Sequence, residues 1–163
     1  ANGFALHRLD IPALLADADG EVARAVATGC TALARGASPL VYTAAGPDDE
    51  AVRGFSAYAD AAGLPRAEAA LRTGQALARV MCGLLDAHPG LRRVAVAGGD
   101  SSGEVAAALG VQALTMAARL APGAPMCRAW SDAPQRDGLE LVLKGGQMGG
   151  VDFFGQVRDG VPS

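Results

Sequence analysis

Two glycine-rich segments hold the residues whose types and spacing are best suited to chemistry. The first is Val94-Ala95-Val96-Ala97-Gly98-Gly99-Asp100-Ser101-Ser102-Gly103-Glu104, which reads as strand, tight loop and helix. Ser101 and Glu104 have the S-x-x-E spacing of a capping box, which sets the helix start at the loop. A helix N-terminus presents unpaired N–H groups and a partial positive charge, so it attracts anions. Gly98 and Gly99 would let a phosphate approach the backbone with no Cβ in the way. Asp100 would repel that phosphate unless it binds Mg²⁺ or orients a hydroxyl or a water. Taken alone, the same pattern also describes an ordinary turn and a capped helix.

The second segment is Leu141-Val142-Leu143-Lys144-Gly145-Gly146-Gln147-Met148-Gly149-Gly150, a strand running into a glycine turn led by a lysine. Lys144 would neutralise phosphate charge, while Gly145 and Gly146 allow close backbone approach. By itself this is equally a flexible turn with a surface lysine. Two such loops after strands in one small chain point together to a nucleotide site, because open α/β sheets bind ligands at the carboxyl ends of their strands.

Other phosphate and nucleophile patterns do not fit. A P-loop needs its lysine after the glycines, and here the lysine precedes them. No G-x-G-x-x-G follows any strand read here, which argues against an NAD enzyme. Gly99-Asp100-Ser101-Ser102-Gly103 superficially matches the nucleophile segment of trypsin-like proteases. Those are all-β proteins, and neither His7 nor His88 lies in the context that their triad requires.

Alternating strands and helices would position these loops. Phe4 to Leu9 reads as a strand. A helix follows from near Glu21, capped by Asp17 or Asp19 and stopped at Gly36. Pro39 to Thr43 reads as a buried strand, and Gly46 to Glu50 as a turn opening an acidic first helical turn. The longest helix is expected over Arg66 to His88, then a strand at Val94 to Ala97 and a short helix to Leu109 with Gly110 as its stop. Val111 to Leu120 reads as a strand. Met126 to Trp130 and Leu139 to Leu143 read as a strand pair around a polar loop, and a short last helix starts near Asp152. This order predicts a single three-layer αβα domain over residues 1–163, with a mainly parallel sheet and its last strands antiparallel.

Composition agrees with a packed domain. Of 163 residues, 50% are hydrophobic but only 4% aromatic, so Ala, Val and Leu must fill the core. The net charge of −3, with scattered basic residues, gives no electrostatic pull toward nucleic acid. Cys30, Cys82 and Cys127 form no C-x-x-C pair, which predicts reduced thiols in a cytoplasmic protein and no metal site of cysteine and histidine. The longest mostly apolar stretch, Val105 to Ala118, is too short to cross a membrane, and Ala1-Asn2-Gly3-Phe4 does not open a signal peptide. Trp130 could stack on a nucleobase but reads first as a core residue, and Phe153 and Phe154 read first as packing anchors for the last helix.

At its two loops the chain resembles the C-terminal nucleotide-binding domain of the four-carbon acid-sugar kinases. The family segment G-G-D-T-S-G is matched by Gly98-Gly99-Asp100-Ser101-Ser102-Gly103, and a leucine-glycine stop by Leu109-Gly110. The P-G-x-P turn is matched by Pro122-Gly123-Ala124-Pro125. The motif K-S-G-x-F-G-x-x-D-F-F is matched by Lys144 to Phe154. The departures are Ser101 for Thr, Gly145 for Ser and Met148 for Phe.

The resemblance implies an ATP-dependent kinase of tetronate-type or 3-oxo-tetronate-type sugar acids, using Mg²⁺. Its nucleotide would be held by Gly98, Gly99, Asp100, Ser101, Ser102, Lys144, Gly145, Gly146 and Gly149, with Asp100 acting through the metal. A catalytic base cannot be named, since the resemblance puts most of the sugar-acid site in an N-terminal domain. No Gly-Ser pair precedes Phe4, so the chain is expected to begin after the first ATP-contacting motif and to be inactive alone. An exposed domain interface would then favour a homodimer. The competing reading is a non-catalytic ligand-binding or regulatory module.

Overall fold

The computed structural model describes residues 3–146 and 148–159, so Ala1, Asn2 and Gln147 of the segments above lie outside the described residues. The chain divides into two compact units, Ala1–Ala87 and His88–Ser163. The boundary falls beside His88-Pro89-Gly90, where the long helix expected from the sequence stops.

In the first unit, β1 (Phe4–Arg8) and β2 (Ser38–Tyr42) form a parallel pair, with Phe4 opposite Ser38 and Arg8 opposite Tyr42. The crossover between them holds α1 (Ile11–Ala16) and α2 (Ala18–Ala34). The Asp10 carboxylate accepts the Ala13 N–H at 2.9 Å and starts α1, with Pro12 in its first turn. Proline is well placed there, because the first helical N–H groups lack intrahelical partners. That six-residue helix is missing from the sequence reading, and α2 begins at Ala18 rather than near Glu21. Asp17, not Asp19, caps α2 by accepting the Gly20 N–H at 3.0 Å. Gly36, at φ 73°, turns the chain after α2.

After β2, which is half-buried rather than buried, come α3 (Glu50–Arg53), α4 (Phe55–Ala61) and α5 (Arg66–Ala87). Asp49 caps α3 through the Ala51 N–H at 2.9 Å and pairs with Arg8. A core of Leu9, Leu14, Ala25, Ala69 and Val80 joins these elements. With so few aromatics, α2 and α5 pack through glycines. A Cβ on Gly83 would lie 2.8 Å from Val26 Cγ2, and one on Gly29 would lie 2.6 Å from Leu84 Cδ2. His7, on β1, has a buried Nε2 with no hydrogen-bond partner among the described residues. Burial, and then the Arg24 charge, hold its pKa below the usual imidazole value.

The second unit contains β3 (Arg93–Ala97), α6 (Gly99–Ala108), β4 (Val111–Ala121), β5 (Ala124–Ser131), β6 (Glu140–Lys144) and α7 (Phe153–Asp159). Its four strands lie in the order β3-β6-β5-β4. β3 and β6 are parallel, while β5 runs antiparallel to both β6 and β4. The fold is thus α/β with a mixed sheet. In this sheet only β3–β6 is a parallel pair, the last strands being antiparallel as expected, while β1–β2 forms a separate parallel pair in the first unit. Gly110 at φ 63° and Gly123 at φ 72° allow the turns on either side of β4. Leu141 and Val142 of β6 are fully buried, as a central strand requires. Arg93 fastens α7 to the sheet, with Nη1 donating to the carbonyls of Val157 at 2.9 Å and Arg158 at 3.2 Å. β4, at the sheet edge, leaves Leu114 and Met116 exposed. No helix among the described residues is long and apolar enough to cross a membrane.

Candidate functional site

The two glycine segments meet in the second unit. Parallel pairing sets Ala97, the last residue of β3, opposite Lys144, the last residue of β6. Both strands therefore end side by side at the same sheet edge. The Gly98 N–H donates to the Lys144 carbonyl at 2.9 Å, which joins the first residue of one loop to the base of the other.

Gly98 is the N-cap of α6, with φ 116° and ψ 132°, and no side chain caps the helix. The expected capping box is therefore corrected: α6 starts at Gly99, and Ser101 lies inside its first turn. Only glycine enters that backbone region easily, and the chain uses it to turn sharply from strand to helix. The first helical bond is donated by Ser102 N–H to the Gly98 carbonyl at 2.9 Å. The N–H groups of Gly99, Asp100 and Ser101 precede it and have no partner within the helix. The Gly98 and Ser102 N–H groups of the expected donor set are bonded within the chain, to the Lys144 and Gly98 carbonyls. Asp100 and Gly99 are exposed there, and Ser101 is half-buried.

Ser102 differs from its neighbours. It is buried, and its Oγ has no hydrogen-bond partner among the described residues. A buried hydroxyl without a partner is costly in a folded protein and is relieved when a ligand or water supplies one. Around it, a Cβ placed on Gly99 or Gly103 would meet no atom within 4 Å, and the same holds at Gly146. The space beside these glycines is open, and an anion can reach their backbone. These features fit a nucleotide phosphate. Among the described residues no three His, Cys, Asp or Glu side chains cluster to hold a metal.

The second loop is more ordered than a free glycine turn. Lys144 is buried at 7% exposure, so it is not the surface lysine of the simpler reading. Its Nζ donates to the Gly145 carbonyl at 3.0 Å and the Gly146 carbonyl at 2.9 Å. It also stands 5.4 Å from the centre of the Phe153 ring. Gly149, at φ 83°, lies against that ring, since a Cβ there would come within 2.7 Å of Phe153 Cδ2. The Met148 N–H donates back to the Gly145 carbonyl at 3.1 Å. Met148 also relates two of the departures from the family pattern. A Cβ on Gly145 would sit 3.2 Å from Met148 Cγ, so the residue lacking a side chain lies under the replaced one. The sequence reads Phe153 first as a packing anchor for the last helix. Its place in the motif begun by Lys144 was the available signal for a shared role.

Trp130 does not enter the core, as expected of it, but is 44% exposed on β5. Its indole N–H donates to Thr115 Oγ1 at 2.9 Å, and the Arg128 guanidinium lies 5.1 Å from its ring. These partners satisfy the polar end of the ring and cover one side of it.

Known proteins resemble this chain in sequence and in fold. The chain is 57% identical over 162 residues to a 3-oxo-isoapionate kinase of Paraburkholderia graminis, covering 98% of this chain and 34% of that protein. It is 40% identical over 152 residues to a 3-oxo-tetronate kinase of Methylobacterium radiotolerans, covering 93% of this chain and 32% of that one. The chain spans about a third of the length of the curated relatives it matches. Among solved structures, a DUF1537 protein of Haemophilus influenzae superposes with a TM-score of 0.75 at 22% identity, over 96% of this chain and 34% of that one, a likeness of fold. A DUF1537 domain of Bordetella bronchiseptica, a domain-swapped dimer with bound citrate, superposes with a TM-score of 0.59 at 25% identity, over 93% of this chain and 33% of that one. The family model described as the nucleotide-binding C-terminal domain matches residues 2–154, and the chain belongs to that family.

Proposed function

We propose that this chain, residues 1–163, acts as one nucleotide-binding domain of a cytoplasmic, ATP-dependent kinase for a sugar acid of the 3-oxo-isoapionate or 3-oxo-tetronate type. The observation that carries this reading is the junction of the two glycine loops through the Gly98 N–H and the Lys144 carbonyl. The substrate class rests on the names of the relatives, most of whose length lies outside the matched region. A catalytic base is not assigned to any residue here, and the chain alone is expected to bind nucleotide without transferring phosphate.

ATP would supply the phosphoryl group, and Mg²⁺, with Asp100 as the residue that would help to hold it, would offset the phosphate charge. The chain contributes position and fixed dipoles, on which phosphoryl transfer mainly depends. The N–H groups of Gly99 to Ser101 face the anion at the α6 N-terminus, and Ser102 Oγ offers a further donor. Gly145 and Gly146 bring the second loop against the phosphate or ribose without side chains in between. A homodimer is part of the same proposal, through the apolar residues that β4 leaves exposed.

Thermal unfolding with Mg-ATP, Mg-ADP and NAD tests the nucleotide reading. Ligand at a hundred times its Kd adds about 2.7 kcal/mol, which for a chain of this size is about 5–11 °C of midpoint. A shift with ATP or ADP but not with NAD is expected. A chain unmoved by both adenine nucleotides, or moved equally by NAD, would count against the kinase reading.

A further inference from the structure

The lysine of the second loop is expected from its motif to neutralise phosphate charge, but among the described residues its head group meets internal partners. Lys144 Nζ donates to the carbonyls of the two residues that follow it. The Phe153 ring lies on the same head group, and that ring also packs against the Gly149 backbone. A lysine head has three N–H donors and no acceptor, so a carbonyl held to it must point inward. A trans peptide points its C=O and N–H to opposite sides, so the Gly145 carbonyl turned toward the buried cation directs the Gly146 N–H away from it. Glycine at 145 and 146 permits this, and a buried cation needs such partners to be tolerated at all.

From this geometry we infer that Lys144 is a positioning residue. With Phe153 it clamps the backbone of Gly145, Gly146 and Gly149, so that this backbone, rather than the lysine charge, meets the nucleotide. The clamp also reaches the first loop. The Lys144 carbonyl accepts the Gly98 N–H, so movement of the lysine backbone displaces the turn that opens α6. Phe153 fixes the far end, because α7 is fastened to β3 through Arg93. The inference rests on the nucleotide reading for its ligand, but not for the clamp itself.

The test compares Lys144→Met, which keeps the apolar stem and removes the donors, with Phe153→Leu, which keeps the lysine and removes the ring. Three quantities are measured: ADP affinity, its dependence on salt concentration, and amide exchange at Gly98 and Met148. The clamp predicts that each variant weakens ADP about tenfold or more, the scale on which displaced binding groups lose their effect. It also predicts that the double variant is little worse than either single one, since both act through the same loop. The salt dependence of ADP affinity should stay that of the wild type, because no charge touching phosphate is lost. Amide exchange at Met148 and Gly98 should accelerate in Lys144→Met.

A flattened salt dependence in Lys144→Met, with Phe153→Leu binding normally, would make the lysine a direct phosphate ligand and overturn the clamp. Unchanged exchange at both amides in a folded Lys144→Met chain would overturn it as well. If the wild type binds no ADP, the nucleotide reading fails, and the exchange arm alone still decides whether Lys144 orders the loop.

Discussion

Gly98 and Gly99 are adjacent in sequence and look interchangeable, yet the structure gives alanine at the two positions opposite effects. Gly98 sits at φ 116° and ψ 132°, which L side chains rarely adopt, although a Cβ there would clear its nearest neighbour, Ser101 Oγ, at 3.5 Å. The cost of Gly98→Ala is therefore backbone strain and not a clash, about 1–3 kcal/mol. At about 2–4 °C per kcal/mol for a chain of this length, a central cost of about 2 kcal/mol lowers the midpoint by about 4–8 °C. Gly99 opens α6 at negative φ with no atom within 4 Å of a Cβ. Gly99→Ala should be neutral or gain about 0.4–1 kcal/mol by stiffening the unfolded chain. Its methyl group nonetheless stands where a phosphate would approach the helix mouth. Scanning calorimetry with and without Mg-ADP separates the two effects. Gly98→Ala should melt early, whereas Gly99→Ala should melt normally and lose most of its ADP shift. An unstrained Gly98→Ala would refute the conformational argument, and a full ADP shift in Gly99→Ala would remove phosphate from that position.

Asp100→Ala should leave the fold within about 1 kcal/mol, the small loss coming from a carboxylate at a helix N-terminus. Its affinity for Mg-ADP should fall more than its affinity for metal-free ADP, as titration calorimetry with and without Mg²⁺ would show. Gly83→Ala should destabilise the chain by about 1–3 kcal/mol despite a better helix propensity, because its Cβ meets the stiff Val26 side chain at 2.8 Å. Denaturant unfolding checks this, and Val26→Ala in the same chain should recover part of the loss. His7 gives a pH dependence of known sign. Its folded pKa is lowered by burial and by Arg24, so its contribution is present above the usual value near 6.5 and is lost as pH falls toward the folded pKa. The wild type should lose stability in that window relative to His7→Gln, measured by urea midpoints at a series of pH values.

The sequence determined more of this protein than its aromatic-poor composition suggests. The strand-loop-helix at Val94–Glu104 and the strand-turn at Leu141–Gly150 were legible because glycine punctuation and short apolar runs are local signals. So were the long helix from Arg66 and the strand at Val111, which Gly110 sets off from α6. α1 was not legible, because six residues with a proline in the first turn show no helical period. Nor was the start of α6, since Ser101–Glu104 satisfies a capping spacing that the φ of Gly98 makes unnecessary. Only tertiary structure decided what the two glycine loops are to each other. Their residues lie more than forty positions apart, and it is the parallel register of β3 on β6 that sets Gly98 beside Lys144. The same holds for Lys144 itself. Local sequence shows a charged side chain beside glycines, but whether it faces solvent depends on Phe153, which another element, α7, brings over it. Spacing along a chain fixes which backbone shapes are available, whereas burial and partners arise only where separate segments pack.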